Sequence, residues 1–314
     1  MAEYDVIALL KSKYGSLKER CGYTNGRLTS LSLAHFCLEE LPPEIGELKH
    51  LEVLSLYHNR LTDLPPEIEA LGHLKVLNLA NNCLTHLPSE LWRLTTLNNL
   101  YLYANQLERL PQGIGQLVNL ENLGLDDNPL TFLPAELGRL LHLQGLGCFD
   151  CRLVTLPNEI GLLTSLVSLT LAGNQLVALP VEIGQLKHLQ YLNLSENYLE
   201  NVPTEVGQLT HLQELNLTSN RLESLPPEIG LLEMLETFSL YYNHLITLPS
   251  ELGQLTNLKQ LGIAGNPLIS IPTEMKNLVA LQELILDNHI FNIMPEEIMQ
   301  FLDRQKVSLI VESP

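Results

Sequence analysis

Leucines recur along the chain at spacings of three and two, and the pattern restarts every 23 residues. In residues 166–188, Leu166, Leu169 and Leu171 are followed by Asn174, Leu176, Leu179, Pro180, Glu182, Ile183, Gly184 and Leu186. Copies begin at Leu28, Leu51, Leu74, Leu97, Leu120, Leu143, Leu166, Leu189, Leu212, Leu235, Leu258 and Leu281, with no insertion between them. Leu169 and Leu171 fall on one side of a short extended segment, because side chains alternate along a strand. The proline and the glutamate two residues later predict a short helical or 3-10 turn. Proline suits its first position, where no backbone donor is lost, and a carboxylate in the first turn is favoured by the helix dipole. One copy has a single apolar edge and buries it only by stacking on its neighbours, about 4.7–4.9 Å apart along a parallel ladder. Twelve copies predict an α/β solenoid, a horseshoe with a parallel sheet on its concave face and short helical or 3-10 segments on its convex face.

Nine of the twelve copies keep an asparagine after the strand: Asn59, Asn82, Asn105, Asn128, Asn174, Asn197, Asn220, Asn243 and Asn266. An amide has donors and an acceptor for the backbone groups where the chain turns, so stacked copies predict an asparagine ladder. Phe36, Cys151 and His289 interrupt it, two of them in the terminal copies, where a ladder lacks a second neighbour. The proline is present in every copy, and the glutamate in all but one, where Gly113 stands.

Outside the repeats, Ile7, Leu10, Tyr14, Leu17 and Cys21 recur at spacings of 3, 4, 3 and 4, one face of an amphipathic helix. Residues 1–27 are therefore expected to be a capping helix, 28–303 the repeats, and 304–314 a closing strand over an open sheet edge. Net charge is −18, which argues against nucleic acid and anionic membrane surfaces as partners. The N-terminus lacks the basic and apolar regions of a signal peptide, and no apolar run is long enough to span a bilayer. Five cysteines, an odd number without paired end caps, are read as residence in a reducing cytoplasm. A monomer is expected.

Core leucines are committed to packing, so recognition must use the variable positions flanking them on the sheet. The richest zone holds Tyr57, Tyr101, Tyr103, Asp126, Asp127, Phe149 and Asp150, with Gly124, Gly145 and Gly147 expected to leave a bare floor among them. Rigid aromatic area rimmed by negative charge suits a protein partner with a basic surface. A second zone holds Tyr191, Glu196, Tyr198, Glu214, Tyr241 and Tyr242.

Catalytic and metal signals are weak by comparison. Cys148 and Cys151 form a C-x-x-C, but they occupy an inward leucine position and the ladder position, where a buried structural thiol is expected. His35 and His58 share one position in consecutive copies without a fixed carboxylate beside them. No phosphate-loop, zincin or nucleophile-elbow motif is present, so no cofactor, metal or enzymatic activity is expected.

The 23-residue unit with its L-P-x-E-I-G-x-L segment resembles the leucine-rich-repeat proteins. Within them it is similar to the intracellular Ras-suppressor and Ras-group type and to bacterial and archaeal cytoplasmic proteins built from the same unit. The resemblance implies a scaffold that binds proteins on its concave face, often in signalling, with small GTPases among the partners of Ras-suppressor relatives. An alternative of another class is a regulatory or substrate-recognition subunit of a separate GTPase, kinase or ligase. The motif carries over scaffold positions only and no partner-contacting residue.

Overall fold

The computed structural model describes residues 3–14, 17 and 19–312. They form two compact units, Met1–Cys151 and Arg152–Pro314.

The first unit opens with α1 (Glu3–Tyr14), which buries Val6, Ile7 and Leu10 and packs beside the first 3-10 turn, Pro43–Glu47. The helix ends well before Cys21, contrary to the expected face; the Tyr14 side chain lies outside the described set. Cys21 instead begins a hairpin of β1 (Cys21–Thr24) and β2 (Arg27–Ser32). Its two-residue turn, Asn25-Gly26, has φ of 51° and 78°. Both values are left-handed, as a tight hairpin turn with native twist requires, and Asn-Gly is the pair best able to supply them. Five parallel strands follow: β3 (Val53–Ser55), β4 (Val76–Asn78), β5 (Asn99–Tyr101), β6 (Asn122–Gly124) and β7 (Gly145–Gly147). Their register puts Leu31, Leu54, Leu77, Leu100, Leu123 and Leu146 in one row, all buried.

The second unit continues the same construction with β8 (Ser168–Thr170), β9 (Tyr191–Asn193), β10 (Glu214–Asn216), β11 (Thr237–Ser239), β12 (Gln260–Gly262) and β13 (Glu283–Asp287). Phe238 takes one leucine place in the row and is fully buried. After β13 come α2 (Asn288–Ile293), α3 (Glu296–Gln305) and β14 (Ser308–Glu312), which lies parallel to β13. Each unit is a leucine-rich-repeat solenoid segment with the strands on one side and 3-10 turns on the other.

One detail departs from the sequence reading and two add to it. The repeated proline is not inside the turn. Pro180, for example, has φ −66° and ψ 145° and precedes the turn Val181–Gln185, its carbonyl accepting from the Ile183 N–H at 3.0 Å. The glycine that follows isoleucine lies inside the turn, Gly184 within Val181–Gln185, and is buried there. A methyl group on Gly184 would stand 2.5 Å from the Glu205 carbonyl oxygen of the next repeat, so glycine is needed for close approach of neighbouring turns. Trp92 holds that place in its own repeat, and its indole covers Gly113, leaving no room for the consensus glutamate there. That accounts for the one missing glutamate.

The ladder has a direction. Asn105 Oδ1 accepts from the Leu84 N–H at 3.0 Å, and its Nδ2 donates to the carbonyls of Leu79 at 3.0 Å and Leu102 at 2.9 Å. Each asparagine thus serves its own repeat and the preceding one. Phe36 has no preceding repeat to serve. His289 does, so the lack of a second neighbour does not account for its place; α2 replaces the turn there. At Cys151 the thiol reaches the Leu125 carbonyl at 3.4 Å, and the Leu130 N–H bonds instead to the Asn128 carbonyl at 2.7 Å.

Candidate functional site

The first unit carries every residue of the richer sequence zone, most of them on its strand face. Tyr101 is the last residue of β5, and Tyr103 follows two residues later on the same side. Tyr57 lies two repeats before Tyr103, and their ring centroids are 6.4 Å apart. His35 and His58 extend this aromatic row: His35 meets Tyr57 at 5.2 Å, edge to face, and His58 at 4.6 Å.

Gly124 is the point on which the two tyrosines close. A methyl group there would lie 3.4 Å from Tyr101 Cδ1, 3.6 Å from Tyr103 Cδ1 and 3.9 Å from Asp126 Oδ2. The other two glycines do not leave a bare floor. A methyl on Gly147 would stand 2.6 Å from Asp126 Oδ2, and one on Gly145 would stand 2.7 Å from Asn122 Oδ1. Polar side chains of the preceding repeat lie over both. Asn122 is held in turn by donating to Asn99 Oδ1 at 2.8 Å.

Asp126 is fixed from the other side, its Oδ1 accepting from the Phe149 N–H at 2.7 Å. Partial burial pushes its carboxyl above the usual aspartate range, with neighbouring Asp127 adding to the rise against the hydrogen bond. The Tyr103 phenol is likewise pushed up, mainly by burial and then by Tyr57, Tyr101 and Asp126. Phe149 remains 37% exposed beside this carboxylate. The surface therefore offers aromatic area and a positioned negative charge in one place.

Asp127 and Asp150 occupy a special backbone position. The eighth residue of the first eleven repeats has positive φ: His35, His58, Asn81, Ala104, Asp127 and Asp150 in the first unit, then Gly173, Glu196, Ser219, Tyr242 and Gly265 in the second. These residues turn the chain off the strand, so their side chains leave at the strand's end rather than from its flat face. Asparagine, aspartate and glycine tolerate this region; a tyrosine does not readily.

In the second unit the predicted residues divide. Tyr191 is 40% exposed on β9, and Tyr198 is stacked by Arg221, whose guanidinium lies 4.4 Å from the ring centroid. Tyr241 and Tyr242 stand together elsewhere, ring centroids 6.5 Å apart, over Gly262 and Gly265 of the following repeat. Sequence reasoning missed this pairing of side chain and glycine. The signal was available: in both units a bulky face residue is followed 21 or 23 residues later by glycine.

Cys148 and Cys151 are both buried, and burial raises both thiols, Cys151 to about 12. Neither is suited to act as a thiolate. Among the described residues all five cysteines are free, no group of three His, Cys, Asp or Glu side chains could hold a metal ion, and no helix is long and apolar enough to cross a membrane.

Comparison with known proteins agrees with this architecture. The "Leucine-rich repeat region" family model matches residues 43–132 and 204–304, and a second, "Leucine rich repeat", matches 164–222. None of the curated proteins matches the chain in sequence. Among solved structures, a leucine-rich-repeat protein of Leptospira interrogans is 36% identical, with a TM-score of 0.61 over 90% of this chain and 83% of that one. An internalin of Listeria monocytogenes is 23% identical, with a TM-score of 0.76 over 91% and 81%, a likeness of fold. The plant peptide hormone receptor RGFR1, solved in complex with RGF2, is 28% identical, with a TM-score of 0.69 over 94% of this chain and 56% of that one. Repeat solenoids of this kind generally serve protein–protein recognition through extended surfaces. The chain belongs to the leucine-rich-repeat family.

Proposed function

We propose that this protein is a non-enzymatic scaffold that recognises a protein partner with a basic surface through the strand face of its first unit. The observation that carries the reading is the closure of Tyr101 and Tyr103 on Gly124 beside Asp126. Two partly exposed aromatic rings and a hydrogen-bonded carboxylate form a surface that is rigid before binding, so little ordering is lost when a partner docks. The aromatic area supplies apolar burial, and Asp126, Asp127 and Asp150 supply steering toward positive charge. The overall charge of −18 adds to that attraction. The five free cysteines fit a cytoplasmic setting, and a monomer acting in intracellular signalling fits an array with no chemistry of its own. A small GTPase with a basic face is one partner of the right character.

The test is calorimetric titration of a captured partner into the wild type and into the Tyr101→Ala/Tyr103→Ala variant. Loss of about 2 kcal/mol or more of binding is expected if both rings are hot spots. Equal affinity for the two proteins would remove the site from this face.

A further inference from the structure

A recess of about 640 Å³ opens at the end of the second unit, beside Tyr242 of the second sequence zone. Its walls include Tyr242, Gly265, Pro267, Asp287, His289 and Glu312. Asp287 and Glu312 are directly paired in the register of β13 and β14. Two carboxylates opposite each other on adjacent strands repel, and such a pair is destabilising unless a cation lies between them. The chain provides little compensation. Asp287 Oδ2 accepts from the Gly265 N–H at 2.7 Å, and His289 Nδ1 stands 3.8 Å from the same oxygen. Among the described residues no lysine or arginine is paired with Asp287 or Glu312.

The aromatic wall is costly too. Tyr242 has φ 54° at the position where Gly173 and Gly265 stand in other repeats, and it is 60% exposed. A bulky side chain is thus held in a left-handed conformation without gaining burial. Gly265 leaves room for its ring, since a methyl group there would stand 2.4 Å from Tyr242 Cδ1, and the ring helps to wall the recess. Tyr241 packs beside it, over Gly262.

We infer that this recess binds an arginine side chain of a partner protein, the guanidinium stacked on Tyr242 and paired with Glu312 and the free oxygen of Asp287. The inference rests on the reading of the chain as a protein-recognition scaffold. Arginine fits better than a metal ion because no set of three metal-binding side chains exists there among the described residues. It fits better than lysine because a planar guanidinium can stack on a ring and bridge two carboxylates at once. The chain already builds this stacking twice, with Arg20 over Phe36 at 4.6 Å and Arg221 over Tyr198 at 4.4 Å.

The experiment is an amide NMR titration of the whole chain with the capped peptide Gly-Gly-Arg-Gly-Gly, its citrulline analogue and its lysine analogue. Saturable shifts at Tyr242, Gly265, Asp287 and Glu312 are expected with the arginine peptide, and none with citrulline, which keeps the shape and loses the charge. Lysine should bind more weakly. Tyr242→Gly keeps the left-handed backbone and should weaken binding roughly tenfold by removing the stacked ring. Glu312→Gln should also weaken it, and Tyr101→Ala/Tyr103→Ala should leave it unchanged. Shifts spread over the acidic surface, equal for arginine and lysine and indifferent to Tyr242→Gly, would overturn the inference. Shifts confined to the Gly124 surface would overturn it while leaving the proposed function standing. No saturable shift anywhere would overturn it as well, and the separate Tyr101/Tyr103 titration would still decide the function.

Discussion

Replacing Asn105 with alanine removes hydrogen bonds to four backbone groups at once from a site that is 7% exposed. The Leu84 N–H loses its acceptor, while the Leu79 and Leu102 carbonyls each lose one of two donors and keep Asn82 and Asn128. Alanine supplies no replacement, and each buried polar group left unpaired costs about 1–3 kcal/mol. One such group, the Leu84 N–H, gives a loss of about 1–3 kcal/mol. The chain has a built-in reporter for the measurement. Its single tryptophan, Trp92, is 4% exposed and lies in the repeat whose Leu84 depends on Asn105. Urea unfolding followed by Trp92 fluorescence should shift its midpoint down by that amount with an unchanged slope. Gln106→Ala, next to it and exposed, should leave the midpoint in place. A loss below about 1 kcal/mol for Asn105→Ala would refute the reasoning, because a ladder worth so little would not be satisfying buried groups.

The converse change, Cys151→Asn, should stabilise the chain by about 1 kcal/mol in the same assay. An amide would give the Leu130 N–H its ladder acceptor and the Leu125 carbonyl a stronger donor than a thiol. Gly113→Glu should destabilise by at least about 1–3 kcal/mol, since the indole of Trp92 already fills that space. Combining it with Trp92→Gly should recover much of the loss, with stability then followed by circular dichroism. Binding of a basic partner should weaken on acidification at a higher pH than an ordinary aspartate would give, because the Asp126 carboxyl is pushed up. The fold behaves oppositely. A carboxyl with a raised folded pKa costs stability as pH rises through that value, so protonating Asp126 removes a cost. Affinity and unfolding midpoints across the mildly acidic range should therefore move in different directions at this residue, and Asp126→Asn should abolish its part of both.

The repeat and its core were legible because they depend on one rule applied twelve times, that alternate side chains of a strand share a face. Leu169 and Leu171 are buried for the reason their spacing indicates. Legibility fell where a residue type serves two geometries. Leu17 and Cys21 continue a helical spacing, yet Asn25-Gly26 specifies a hairpin, and the local turn chemistry wins. The left-handed position was hidden because His35, Ala104, Glu196, Ser219 and Tyr242 occupy it alongside the asparagine, aspartates and glycines that would have marked it. The candidate surface was legible as a set of aromatic and acidic residues. Its assembly was not, because which ring rests on which glycine depends on the tilt of side chains toward the next repeat. Gly124 and Gly262 are defined by the tyrosines 21 and 23 residues before them more than by their own neighbours in sequence.

Affinity capture from lysate, wild type against Tyr101→Ala/Tyr103→Ala/Asp126→Lys, tests the recognition surface most directly. A protein held by the wild type and lost from the variant is expected, with circular dichroism showing both folded. A protein held equally by both, with folding intact, would contradict it.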